Sequence, residues 1–294
     1  MMNKSLLNDL MTRLTGSAAV SIVAMGVLGG SQALAGIAGG KHDLSTKFIA
    51  TAGATEICVF CHTPHGADIN PGRPPLWNRN NSVATYTTYN SLGSASLDGG
   101  TAAVGSISIA CLSCHDGTQA MNTMINAPGS GLGGGVYAGN FAGTASVTAG
   151  AGGAAAGGRM LGIAALGQDL RNDHPVGIQY GGGLAAGPTT VYPSTDLLAT
   201  AFKDPDFKAI KYGVLNTTPA WYVDTGGAGR QKTDLMLYTR TGQTVTMNDG
   251  TTALSAGNQA FVECASCHDP HSSNTTFLRI SNAGSAVCLS CHNK

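Results

Sequence analysis

The stretch that decides the fold is the C-terminal tail FVECASCHDPHSSNTTFLRISNAGSAVCLSCHNK, residues 261–294. It contains the pentapeptide Cys-x-x-Cys-His twice, beginning at Cys264 and at Cys288. Two thiols and an adjoining imidazole in this spacing attach a c-type haem, because the thiols form thioethers with the haem vinyl groups and the imidazole binds the iron. The tail therefore predicts two haems that are close neighbours.

The same pentapeptide occurs twice more, beginning at Cys58 and at Cys111, so the motifs use all eight cysteines and predict four covalently attached haem c groups. The predicted thioether residues are Cys58, Cys61, Cys111, Cys114, Cys264, Cys267, Cys288 and Cys291. The predicted proximal iron ligands are His62, His115, His268 and His292. A redox dithiol, a zinc site or a set of disulfides would account for the cysteines alone. None of these explains a histidine after every second cysteine.

Four further histidines match the four remaining axial positions, and they are His42, His65, His174 and His271. Three of them adjoin a proline, which stiffens the backbone that presents the imidazole. Methionine is the competing sixth ligand, and a histidine without any ligand role is the plainer alternative. Because no methionine stands in a repeated context, the pattern predicts that the four histidines are distal ligands.

His65 and His271 each stand three residues after a proximal histidine. Three residues are too few to carry the chain around a wide macrocycle, so both are predicted to bind a neighbouring haem rather than their own. If every iron has two imidazoles, no position is open to a substrate, and the protein transfers electrons and is not an enzyme. The alternatives are a soluble periplasmic tetrahaem shuttle and a multihaem reductase with one open haem.

The N-terminal residues 1–35 are predicted to be a cleaved signal peptide, with a basic start, an apolar run and the cleavage site Ala33-Leu34-Ala35; an uncleaved anchor is the alternative. Residues 36–294 are predicted to form one tetrahaem domain. Its Gly/Ala-rich insertion, around 127–168, is either a flexible linker or a loop packed close to haem.

No later stretch is apolar enough to span a membrane, and a formal charge of +0 does not suggest nucleic acid. We expect export to the cell surface or beyond, with the periplasm as the alternative.

Composition limits how this chain builds a core. Only 6% of residues are aromatic and 42 are glycine, which predicts that the haems form the core and that the apoprotein is largely unfolded. The predicted fold is a multihaem c-type cytochrome, mostly loop with short helices and a small β-hairpin, wrapped around a chain of four haems. Short helical turns are expected at the motifs, helices at 194–204 and 204–213, and the hairpin over 234–250.

Several blocks together carry a family resemblance: CVFCHTPHG, PPLWN, CLSCHDGT, NDHPVG, CASCHDPH and NAGSAVCLSCHNK. In order and spacing they resemble the tetrahaem extracellular c-type cytochromes of metal-reducing bacteria, of the outer-membrane OmcE type, which polymerise into nanowires. The resemblance implies bis-histidine haems in a continuous chain, with one ligand donated by the neighbouring subunit of a head-to-tail homopolymer. It also implies electron supply from periplasmic or outer-membrane cytochromes and delivery to an extracellular acceptor.

The resemblance further implies that His65, His174 and His271 are distal ligands within the chain. His42 lies on a short arm preceded by glycines, and we predict that it binds a haem of the adjacent protomer. The alternative, in which His42 folds back onto its own chain, remains open at this stage.

Overall fold

Secondary structure in this protein is short and local. The computed structural model describes residues 36–44, 57–70, 73–94, 96–121, 123–126, 135–136, 153–154, 159–173, 175–187, 191–215, 217–248 and 251–293. The predicted signal peptide at 1–35, most of the Gly/Ala-rich insertion and His174 lie outside the described residues. Among the residues described, no helix is both long and apolar enough to cross a bilayer.

Three α-helices carry three of the four pentapeptides, and they are α1 (Ser106–His115), α2 (Cys264–Cys267) and α3 (Ala286–Cys291). The first motif lies on a hydrogen-bonded turn instead. In that turn the amide of His62 donates to the carbonyl of Cys58 at 2.8 Å, and His268 and His292 make the same bond to their first cysteines at 3.0 Å. One helical turn thus sets the distance between each first thiol and its imidazole.

The β-strands are two to six residues long. They are β1 (Thr101–Ala102), β2 (Thr123–Met124), β3 (Gly135–Val136), β4 (Gly153–Ala154), β5 (Met160–Leu161), β6 (Ile178–Gln179), β7 (Lys211–Leu215), β8 (Thr218–Val223), β9 (Leu235–Leu237), β10 (Thr244–Thr246), β11 (Ala253–Ser255) and β12 (Phe261–Val262). They pair antiparallel in a five-stranded sheet of order β11-β10-β1-β6-β12, a three-stranded sheet β7-β8-β9 and the pairs β2-β3 and β4-β5. Short 3₁₀ turns lie at Tyr89–Leu92, Gly162–Ala164, Tyr180–Gly182, Ala199–Ala201, Thr275–Phe277 and Ala283–Ser285.

A hydrophobic core made of protein alone lies against the three-stranded sheet. Its buried members are Tyr180, Leu184, Tyr192, Leu197, Phe202, Ile210, Trp221, Val223, Leu235, Leu237 and Ala260. Four aromatic side chains are in this set, although only 6% of the chain is aromatic. The expectation that cofactors form the whole core is therefore incomplete, because these four are buried together in one protein cluster.

The two helices expected at 194–204 and 204–213 are wrong. The first region contains only the 3₁₀ turn Ala199–Ala201, and the second runs into strand β7. Leu197 and Ile210 exchange backbone hydrogen bonds, both at 2.9 Å, and both side chains are buried. Burial of these two residues in an extended pairing outweighs a modest helix propensity.

The hairpin expected over 234–250 has its two strands, β9 and β10, and a turn at Gly242, where φ is 78°. The strands do not pair with each other. Strand β9 pairs with β8, and β10 pairs with β1 and β11, so the two strands belong to different sheets. Asp249 and Gly250, expected to close the hairpin, lie outside the described residues.

Candidate haem centres

All eight cysteines are free thiols, so none is used in a disulfide. They also form a spatial series. Burial raises the pKa of Cys61 to about 12, and the nearby Cys114 adds to the rise. A hydrogen bond with Cys264 is the main reason why the pKa of Cys111 is raised. Burial raises the pKa of Cys291 to about 12, with Cys267 as the next contributor. Motif 1 thus adjoins motif 2, motif 2 adjoins motif 3, and motif 3 adjoins motif 4.

The first imidazole pair joins the first motif to the loop that follows the third. The ring centroids of His62 and His271 are 6.2 Å apart, and the ring planes differ by only 17°. Imidazole nitrogens bind metal ions at about 2 Å, so two imidazoles on opposite sides of one iron hold their centroids about 6 Å apart. The observed separation fits an iron between the two rings.

The second pair joins the N-terminal arm to the second motif. The ring centroids of His42 and His115 are also 6.2 Å apart, with an interplanar angle of 81°. Phe277 covers the His42 ring at a centroid distance of 4.1 Å. The arm is anchored at Gly36, whose amide donates to the carbonyl of His271 at 3.0 Å and where an added Cβ would meet that oxygen at 2.8 Å. This packing lies within one chain.

The His42–His115 pair is chemically suited to bind iron. The pKa of His42 is lowered to about 4, mainly by burial and also by the neighbouring His115, while the Pro270 carbonyl acts in the opposite direction. Burial also lowers the pKa of His115. Both rings are therefore neutral at neutral pH, and neutral imidazole is the form that ligates a metal.

Three proximal histidines are oriented through Nδ1, which donates a hydrogen bond to a backbone carbonyl. The pairs are His62 to Pro75 (2.7 Å), His115 to Ala164 (2.7 Å) and His268 to Thr276 (2.8 Å). Such a bond fixes the tautomer and leaves Nε2 available to a metal. The three rings are thus prepared as ligands by the protein itself.

The other predicted ligands are distributed differently. His65 is exposed, and among the described residues no histidine ring lies opposite it. His292 packs against Phe207, with ring centroids 4.2 Å apart. His174 lies outside the described residues. The structure therefore brings together two of the four expected ligand pairs.

Two adjacent residues that the sequence analysis missed connect motifs 1 and 2. Asn78 is fully buried; its amide donates to the carbonyl of Cys61 at 2.9 Å, and its side chain donates to that of Val59 at 2.7 Å. Arg79 is also buried and donates to the carbonyls of Ser113, Ala120 and Met121 and to the Ser113 hydroxyl, at 2.6–3.1 Å. The sequence feature that could have drawn attention to Arg79 is the scarcity of charge, since only 11% of the residues are charged.

A buried ion pair connects motifs 2 and 3 in a similar way. Glu263, directly before the third motif, pairs with Arg240 and accepts a hydrogen bond from the Ser108 hydroxyl of α1. Ser108 in turn accepts a bond from the amide of Cys264 at 3.0 Å. An added Cβ at Gly105 would collide with the Arg240 guanidinium, so the start of α1 requires glycine. Sequence alone gave no sign of the contact between Glu263 and Ser108, which are 155 residues apart.

The surroundings of the imidazole pairs also fit a large apolar cofactor. Leu76 follows Pro75, the residue that orients His62, and is 54% exposed. Ile163 precedes Ala164, the residue that orients His115, and is 88% exposed. Met121 and Met124 are not candidates for these pairs, since both lie in a buried cluster with Phe60. Thiols, neutral imidazoles and flanking apolar surface together match the needs of a covalently bound haem.

The Cys-x-x-Cys-His motifs indicate a haem-binding electron-transfer protein of the multihaem c-type cytochrome class. Residues 258–294 match the family model for the doubled CXXCH motif, the signature of covalently bound c-type haem in such cytochromes. Comparisons with curated proteins and with solved structures found no match.

Proposed function

We propose that this protein conducts electrons over long distances through four covalently bound haem c groups, each held by two histidines. The observation that carries the proposal is the equal centroid separation, 6.2 Å, of two imidazole pairs that join different parts of the chain. Two independent pairs at the spacing set by an iron are unlike ordinary histidine contacts, and each contains one proximal and one distal residue.

The chain's residues would perform three tasks. Cysteines fix each cofactor covalently, paired imidazoles occupy both axial positions, and Nδ1 hydrogen bonds hold the rings in place. When bound, haem supplies a one-electron couple whose coordination changes little on reduction. The electrostatic influence of the thiols of successive motifs on one another supports a row of centres that follows the sequence order of the motifs.

Saturation by imidazole supports conduction over catalysis. A multihaem reductase needs one iron with an exchangeable position, and the two observed pairs leave none at two of the four proposed centres. We therefore infer that the protein is not an enzyme. Ready binding of carbon monoxide or nitrite by the purified holoprotein would contradict this inference.

We further propose that the protein assembles head-to-tail, as its resemblance to the OmcE-type cytochromes implies. The sequence prediction gave the interchain ligand as His42, but the contact of His42 with His115 supports the intrachain alternative. Within this proposal we therefore assign the interchain role to His65. His65 is exposed, while Thr63 Oγ1 and Asn126 Nδ2 both donate to its carbonyl at 2.9 Å and hold its loop.

The repeat between motifs supports this choice of His65. In CHDPH, the ring of His271 lies opposite His62 of the first motif and not opposite the histidine of its own motif. In CHTPH, His65 occupies the same place, but it is exposed and no histidine ring among the described residues lies opposite it. The opposite end of the row is motif 4, where the described residues contain no histidine opposite His292. A second copy would bring His65 to that centre in a contact that does not close on itself.

The proposed setting follows from the same assembly. An exported filament would receive electrons from periplasmic or outer-membrane cytochromes and deliver them to an extracellular acceptor. A monomeric wild-type holoprotein with fully low-spin haem would instead indicate the soluble shuttle.

The test compares two histidine variants of the holoprotein by electron microscopy and absorption spectroscopy. We expect His65→Ala to abolish filaments and to leave one centre open in every subunit. His42→Ala is the matched control, and we expect it to open one centre while filaments persist. Filaments of His65→Ala in which every haem stays low-spin would overturn the assignment of His65.

A further inference from the structure

One ligand histidine has a charged partner where three others have neutral ones. His271 Nδ1 donates to Oδ1 of Asp269 at 3.1 Å, and the His271 amide donates to the same oxygen at 2.8 Å. In contrast, the Nδ1 atoms of the proximal histidines of motifs 1, 2 and 3 donate to backbone carbonyls. The centre between His62 and His271 is thus the one whose described ligand set includes a carboxylate partner.

Asp269 is held firmly in this position. It is 7% exposed, and its amide donates to the carbonyl of Phe277 at 2.8 Å. Lys232 Nζ lies 3.6 Å from Oδ2, the oxygen that does not face the imidazole. Aspartate is ionised at neutral pH, and the two hydrogen bonds that Oδ1 accepts favour the charged form. A single exposed ammonium group beside Oδ2 neutralises this charge only in part.

A charged acceptor changes the imidazole as a ligand. An ionised carboxylate draws the Nδ1 proton toward itself, which makes the opposite nitrogen a stronger electron donor to a metal. Stronger donation favours the oxidised metal, and hydrogen bonding outside the ligand set is a recognised way to tune potential. We propose that Asp269, acting through His271 as a positioning and tuning residue, lowers the reduction potential of the haem held between His62 and His271. This inference rests on the proposed role of His271 as an axial ligand.

The internal repeat supplies a comparison. Thr63 stands in the first motif where Asp269 stands in the third, one residue before the proline. Its hydroxyl donates to the carbonyl of His65 and fixes the loop without a charge. The loop can therefore be held without a carboxylate at this position. We infer that the charge of Asp269 acts on the His271 imidazole.

The main test is Asp269→Asn, which keeps an oxygen acceptor and removes the charge. Potentials are measured by spectroelectrochemistry of the holoprotein, and electron paramagnetic resonance identifies the affected centre. We expect one of the four potentials to rise, with the other three unchanged and all haems still low-spin. Unchanged potentials would overturn the proposal, as would conversion of that centre to high spin, because Asp269 would then only hold the ligand.

A second variant predicts the opposite sign and does not disturb a buried residue. Lys232 has a side chain 68% exposed, so Lys232→Gln should fold normally and leave the carboxylate less neutralised. We expect the same potential to fall, by less than it rises in Asp269→Asn, because solvent screens an exposed charge. Lys211→Gln is the matched control, since Lys211 is also exposed and pairs with Asp196 at 3.0 Å. We expect it to change no potential.

The ligand role of His271 and the tuning role of Asp269 can be refuted separately. If His271→Ala leaves every haem low-spin, His271 is not an axial ligand and the proposed function loses one of its pairs. If His271→Ala opens one centre while Asp269→Asn and Lys232→Gln leave its potential unchanged, the ligand assignment stands and the tuning role of Asp269 is refuted.

Discussion

At the scale of the residue, the two imidazole pairs share one separation but differ in orientation. The rings of His62 and His271 are nearly parallel at 17°, whereas those of His42 and His115 are nearly perpendicular at 81°. Parallel imidazoles split the iron dxz and dyz orbitals, which overlap with the π systems of the rings, and perpendicular imidazoles leave these two orbitals almost equal in energy. The two centres should therefore have different magnetic signatures in the oxidised state.

We predict two distinguishable low-spin signals in the paramagnetic resonance spectrum of the oxidised holoprotein. His271→Ala should remove a rhombic signal, because it breaks the parallel pair. His42→Ala should remove a signal with a larger maximum g value, because it breaks the perpendicular pair. His65→Ala is the control in a monomeric preparation and should remove neither. Loss of the same signal in His42→Ala and His271→Ala would contradict the two separate pairs.

At the scale of the element, Arg79 connects motif 1 to helix α1. It is 1% exposed, and its guanidinium donates to three backbone carbonyls and one hydroxyl. No described carboxylate pairs with it, so its charge is stabilised by peptide dipoles. The cost of removing it is the desolvation of several acceptors that would lose their donor.

We predict that Arg79→Met lowers the free energy of unfolding by at least about 3 kcal/mol, since each unsatisfied buried acceptor costs roughly 1–3 kcal/mol. Arg79→Lys should lower the free energy of unfolding by less, because lysine keeps the charge and some of the donors, although it lacks the planar guanidinium group. Urea unfolding of the holoprotein, followed by circular dichroism, measures both. Arg171→Met is the control, since Arg171 pairs with Asp169 on the surface and its loss should not shift the midpoint. Equal midpoints for Arg79→Met and wild type would contradict this account.

Sequence predicted the motifs and their local helices better than it predicted how they are joined. Cysteine spacing implies a single hydrogen-bonded turn, and the turn is present at motif 1 as well as on the three helices. Glu263 and Arg240 could not be paired from sequence, because nothing local marks a contact that depends on Gly105 at a third place in the chain. The helix expected at 194–204 is absent for a similar reason. Leu197 forms an antiparallel bridge with Ile210, and nothing within the segment itself predicts that pairing.

At the scale of the molecule, the chain combines two ways of making a core. The region of the motifs has small clusters, such as that of Phe60, Met121 and Met124, and exposed apolar side chains beside its imidazoles. The region of β7, β8 and β9 has a continuous cluster with Trp221 fully buried. Average composition suggested that cofactors replace the core throughout. It could not reveal that Tyr180, Tyr192, Phe202 and Trp221 are buried together in one cluster.

The pairing of the imidazoles also depends on the fold of the whole molecule. Histidine number matched the number of axial positions, and that match predicted the set of ligands without predicting which imidazoles meet. The pairing of His271 with His62 depends on how motif 3 folds back toward motif 1. Spacing along the chain predicted that His65 and His271 each serve a neighbouring centre; the ring distance from His271 to His62 is consistent with this for His271, and the prediction for His65 stays a prediction.

The two kinds of core predict that the apoprotein is not uniformly unfolded. A variant with all eight cysteines replaced by alanine cannot attach haem, and we expect the motif region at 57–126 to lose its hydrogen-exchange protection. Amides of β7, β8 and β9 should keep measurable protection, because the cluster around Trp221 is made of protein alone. The measurement is hydrogen exchange with mass spectrometry on the apoprotein and, as the control, on the holoprotein, in which both regions should be protected. Rapid exchange throughout the apoprotein would contradict this prediction and would mean that the sheet depends on haem. The contact of Cys291 with the cluster would then be the link between the haem and the sheet.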